Sequence, residues 1–230
     1  MKNYFRLGFA ALALVLFFNA FAVTETKAQG AIDQILKRMD EHYKALQTLK
    51  SDVKMVKYDS VLKTEDVYEG RTMYLPRKGR DAYVRIDWAK PASEVLSSYE
   101  GRYTIFRPRL NQCIEGKTNT VRGGDGRAPG ALAFMNMTRA QLKANYTLRY
   151  LGEEKVGGIP TWHLELTPKK PQSYKSADLW VDGNGMPIQA RVVEKNDDTT
   201  TVYLSNLQKN ATINASLFKV DMPNNIKCAS

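Results

Sequence analysis

At Ser51 the hydrophobic rhythm of this 230-residue chain changes period, and that change constrains the fold more than any other feature. Before it, Ile32, Ile35, Leu36, Met39, Tyr43, Leu46 and Leu49 recur at helical spacing with charged residues opposite. This predicts an amphipathic helix over Ala31–Leu49 whose stripe covers one face of a sheet. After Ser51, apolar and aromatic residues alternate at period two between turn residues. Strands are expected at Asp52–Ser60, Val67–Leu75, Ala82–Trp88, Glu94–Tyr99, Tyr103–Arg107 and Gln112–Glu115. A second set is expected at Thr147–Leu151, Thr161–Thr167, Ala177–Asp182, Pro187–Glu194, Thr200–Leu207 and a short run near Phe218-Lys219-Val220. Gaps of hairpin length, Asp182-Gly183-Asn184-Gly185 the clearest, indicate an antiparallel meander and not alternating βαβ units.

One segment breaks the pattern between the two sets. Arg122-Gly123-Gly124-Asp125-Gly126-Arg127 is glycine-rich, and the stretch that follows carries Leu132, Phe134, Met135 and Met137. Thr138 then offers a helix N-cap ahead of Gln141 and Leu142. Two readings stand: a core helix on a glycine hinge, or a lid of adaptable apolar side chains over a cavity.

The N-terminus reads as an export signal. Lys2 and Arg6 precede an apolar run from Leu7 to Phe18, shorter than the roughly 20 residues of a membrane span. Ala20-Phe21-Ala22 suits cleavage after residue 22, with cleavage after Ala28 as the alternative. The expected domains are a signal peptide over 1–22 and one domain over 23–230, periplasmic and without a lipid anchor. A formal charge of +10 favours anionic partners such as phospholipid head groups or acidic proteins, and the basic residues are scattered, which does not suit nucleic acid. Cys113 and Cys228 are compatible with one disulfide in an oxidising compartment.

Catalytic signatures are missing from the pattern. His42 and His163 are the two histidines, and neither has a histidine or cysteine at metal-ligand spacing. Serines lack a GxSxG setting, the pairs Glu153-Glu154 and Asp197-Asp198 fall where turns are expected, and Gly123-Gly124-Asp125-Gly126 lacks a phosphate loop's lysine. Neither an enzyme nor a cofactor is expected. The aromatics, Trp88, Phe106 and Trp180 among them, fall in strands, where they fill a core or line an apolar site.

In order along the chain, several motifs resemble the LolA family of periplasmic lipoprotein carriers and its lipoprotein-sorting relatives. They are Glu69-Gly70, the basic turn Arg77-Lys78-Gly79-Arg80, and Val84-Arg85-Ile86-Asp87-Trp88-Ala89-Lys90-Pro91. Glu100-Gly101-Arg102, Phe106-Arg107-Pro108 and Gln112 follow, then Leu164–Lys169, Leu179–Asp182, Pro187-Ile188-Gln189, and Phe218 with Pro223. The resemblance implies an unclosed antiparallel β-barrel of about 11 strands, covered by the N-terminal helix and short lid helices. It also implies an acyl-chain site in the hollow, with Trp88, Phe106 and Trp180 in its walls and Leu132, Phe134 and Met135 as lid. A basic residue would latch that lid: Arg77, Lys78 or Arg80. Arg85 is a departure inside the strand motif. The implied function is a monomeric periplasmic carrier in a Gram-negative bacterium, taking lipoproteins or related lipids from an inner-membrane ABC-type exporter to an outer-membrane acceptor. The alternatives are a lipid-sensing regulatory domain of the same fold or a cell-envelope hydrolase.

Overall fold

The computed structural model describes residues 29–77, 82–118, 135 and 137–229. A helix, α1, spans 29–45. The strands are β1 (Leu49–Asp59), β2 (Thr64–Leu75), β3 (Tyr83–Lys90), β4 (Glu94–Tyr99), β5 (Arg102–Arg107) and β6 (Gln112–Lys117). Then come α2 (Arg139–Asn145), β7 (Tyr146–Val156), β8 (Ile159–Pro168), β9 (Tyr174–Asp182), β10 (Pro187–Glu194), β11 (Thr199–Lys209) and β12 (Cys228–Ala229).

All twelve strands lie in one sheet, ordered β12-β6-β5-β4-β3-β2-β1-β11-β10-β9-β8-β7. The two expected sets are consecutive meanders, joined where β1 pairs antiparallel with β11. β7 and β12 remain at opposite edges, so the sheet is unclosed, as expected. The two-residue β12, which is not among the expected strands, pairs parallel with β6. The short strand expected near Phe218 is a 3-10 turn, Ala215–Phe218, capped by the Asn214 side chain.

Strand parity divides the sheet into two faces. Val53, Met55, Tyr74, Ile86, Leu164, Leu166, Leu179, Ile188, Ala190, Val202 and Leu204 turn inward and are buried. Against them α1 places Ile32, Ile35, Leu36 and Met39, all at most 5% exposed. Burying a side chain of this size contributes about 1.5–3 kcal/mol, so the stripe holds the helix down. The turn after β9 holds it as well. Arg38 Nη1 donates to the Gly183 carbonyl at 2.7 Å, and its guanidinium lies 5.1 Å from the Trp162 ring centre. Gly185, at φ +82°, lets the turn close on α1, because a Cβ there would fall on the Arg38 carbonyl.

The outer face of β3–β6 carries a second, smaller apolar cluster. Phe218 is fully buried there, its ring 5.6 Å from that of Tyr83, and the Ser97 hydroxyl donates to the Phe218 carbonyl. Arg85 Nη1 donates to the Leu217 carbonyl at 2.7 Å. Cys113 and Cys228 form a disulfide, so the chain's last residues are strapped across this face.

Candidate functional site

An apolar cavity of about 50 Å³ lies between the C-terminal half of α1 and the inner face of the sheet. Tyr43 and Leu46 line it from above, Leu49, Thr72, Tyr74, Val84 and Leu204 from the strands, and Met186 from the turn before β10. Met135 closes one side, so the segment between β6 and α2 contributes to its wall. α2 anchors that segment. Thr138 and Gln141 form the capping box at its start, and Lys143 and Arg139 reach Asp33 of α1 at 2.5 and 3.2 Å. The Lys143 ammonium, hydrogen-bonded to Asp33, holds that carboxyl below its usual range.

Polar groups in the wall are few. Thr72 donates its hydroxyl to the Arg85 carbonyl at 3.0 Å. Tyr74 is hydrogen-bonded to Tyr43, and burial pushes its phenol far above the usual value. Behind the cavity, His42 on α1 keeps its buried Nε2 without a hydrogen-bond partner. Burial holds the His42 imidazole below its ordinary pKa; nearby Lys209 adds to the depression, and Asp182 opposes it.

Strand parity sorts the expected site residues. Trp88 turns inward, edge-on to Tyr68 with ring centres 5.9 Å apart, and Met135 lines the cavity. Arg77, Arg85, Phe106 and Trp180 sit elsewhere. Arg77 turns to the outer-face Tyr83 hydroxyl and to Glu100 at 3.4 Å. Arg85 grips Asp87 at 2.8 Å and the strapped C-terminal segment. Phe106 pairs in register with Cys113 and Val95, on the disulfide side of the sheet. Lys78, Arg80, Leu132 and Phe134 lie outside the described residues.

Trp180 belongs to an outer-face network that sequence reasoning missed. His163 stacks on it with centroids 4.2 Å apart. The imidazole lies between Glu154 at Nδ1 (2.7 Å) and Asp178 at Nε2 (2.9 Å). Asp178 also accepts from Arg191 Nε at 3.0 Å, and the Trp180 indole donates to Glu154. These groups spend their donors and acceptors on one another, which pins β7 through β10 together and suits structure better than chemistry. No pattern in the linear sequence marks these residues, because they come from four strands.

A family model described as "-like: Uncharacterized protein" matches residues 130–227. No curated protein matches the chain. Among solved structures, an uncharacterized conserved protein from Thermus thermophilus is 13% identical, with 86% of this chain and 98% of that one covered, at a TM-score of 0.56. MucB is 17% identical, covering 82% of this chain and 62% of its own, at a TM-score of 0.50. A LolA superfamily protein from Nitrosomonas europaea is 17% identical over 82% and 97%, at a TM-score of 0.42. The fold is shared with the Thermus thermophilus protein and MucB: an unclosed, mainly antiparallel sheet whose inner face is covered by an N-terminal helix.

Proposed function

We propose that this protein is a periplasmic carrier whose single domain, residues 23–230 after removal of a signal peptide, shields acyl chains between α1 and the sheet. The observation that carries this reading is the cavity at that interface, walled by mostly apolar side chains from α1, four strands, the turn before β10 and Met135. It is far below the roughly 300–1,000 Å³ of a small-molecule site, so this reading takes the described state as the closed one. Loading requires α1, or the segment carrying Met135, to lift. The closing contacts suit that step. They combine a greasy stripe, one arginine latch on a turn carbonyl and an exposed carboxylate between two cations.

The energetics permit reversible transfer. Each buried methylene contributes about 0.8 kcal/mol, so a long chain repays an opening that costs a few kcal/mol. Lipoproteins or related lipids moving from the inner to the outer membrane fit this range. The donor in this reading is an ABC-type exporter and the recipient an outer-membrane acceptor. No bond is made or broken by the protein. Leu132 and Phe134 complete the lid in this reading, and Lys78 or Arg80 remains the basic residue that meets it.

Titration with a fluorescent long-chain acyl probe tests the site. Val84→Phe fills the hollow and is expected to weaken probe binding at least tenfold while the folded spectrum persists. Unchanged binding by a folded Val84→Phe protein would place the lipid elsewhere and overturn the reading.

A further inference from the structure

Ser51 stands out beside the hollow, next to two of its lining residues. It sits on the inner face of β1, in register with Thr72, on the same face as Leu49, and both of those residues line the cavity. It is 5% exposed, and its Oγ is one of two buried side-chain polar atoms without a hydrogen-bond partner among the described residues. The β1–β11 register slips across this position, between Lys50 and Asp52. Nearby hydroxyls are engaged: Thr72 with the Arg85 carbonyl, and Tyr74 with Tyr43. A buried hydroxyl left unsatisfied is costly, and such exceptions call for an explanation. The lining residues are Tyr, Leu, Thr, Val and Met, with no charged side chain among them. A carboxylate or phosphate drawn into the hollow would therefore be buried without a counter-ion, a far larger penalty than that of a neutral carbonyl.

We propose that Ser51 is the specificity-determining residue of the hollow, donating its hydroxyl proton to a neutral carbonyl oxygen of an ester or amide on the bound chain. The proposal rests on the carrier reading and narrows it. The favoured cargo is an acyl ester or amide, with hydrocarbons disfavoured because they leave the hydroxyl unpaired. Free fatty acids are disfavoured because their charge has no partner there.

The test compares methyl palmitate, palmitate at pH 8 and hexadecane, each delivered from cyclodextrin in competition with the acyl probe. Wild-type protein is expected to bind the methyl ester about five- to tenfold more tightly than hexadecane, the range of one net hydrogen bond, and palmitate more weakly than the ester. Ser51→Ala is expected to remove the preference for the ester over hexadecane, and Ser51→Thr to keep it. Removing an unsatisfied hydroxyl should leave the stability of Ser51→Ala equal or raised, which separates this role from a structural one. The proposal is overturned if Ser51→Ala leaves every affinity unchanged, as a hydroxyl that meets only water would, or if palmitate binds as tightly as its ester. Binding of all three chains without discrimination would refute the role of Ser51 and leave the carrier reading standing. Binding of none would refute both.

Discussion

Gly70 is where β2 and β3 approach too closely for a side chain. A Cβ there would fall on the Asp87 carbonyl and lie 2.9 Å from the Trp88 Cα, beside a register slip in the β2–β3 ladder. Gly70→Ala is therefore expected to force the strands apart and cost about 1–3 kcal/mol in a urea titration, as overpacking does. Phe218 is the opposite case, a large side chain fully buried under the C-terminal strap. Phe218→Ala should lose about 3–5 kcal/mol by the same measurement. Residue roles were the least legible in the sequence. Alternation shows that Phe106 and Cys113 share a face, but which face meets α1 depends on pairings between strands distant in sequence. Trp180 shows the same limit. It sits in a stretch whose sequence resembles LolA-family motifs, yet it turns outward onto His163 while its neighbours Leu179 and Val181 enter the core.

At the scale of elements, α1 is both the cover of the hollow and a part sensitive to acid. His42 has its imidazole pKa lowered chiefly by burial, with Lys209 adding and Asp182 opposing. Above the ordinary value of about 6.5 the ring is neutral in both folded and unfolded chains and costs nothing. As pH falls below it, the unfolded chain takes up the proton first, so stability declines with acidification until the folded-state value is also passed. Thermal melts between pH 7.5 and 5.5 should show this fall, and His42→Leu should reduce its slope. An equal slope in that variant would assign the effect to other groups. Elements were far more legible than residues. Helical spacing revealed α1, the Thr138 N-cap marked the start of α2, and Asp182–Gly185 announced its hairpin. The C-terminal strand near Phe218 was misread because three residues are too few to establish a period. There the Asn214 cap closes a 3-10 turn instead, and β12 forms beside the cysteine bridge.

Across the whole molecule, an unclosed sheet must hold two edges apart without losing its core. The β12 edge is secured by the Cys113–Cys228 disulfide, which closes a separation of 115 residues. Replacing both cysteines with serine should lower stability by about 2–5 kcal/mol in the same urea titration. The inner hollow should stay competent to bind, because the bridge lies on the outer face. Loss of acyl-probe binding by a folded double variant would show instead that the strap shapes the hollow. The meander and its cover could be read from periodicity alone. The small size of the hollow could not, since it depends on how Tyr43, Leu46 and Met135 fill the space above the strands.

The carrier claim is tested most directly by the contents of the protein itself. The native protein, purified from its own cells without detergent, would be extracted with organic solvent and the extract analysed by mass spectrometry. The account predicts an acylated lipid or lipopeptide approaching one molecule per chain. An empty extract, from protein that also fails to take up an added acyl chain, would contradict it.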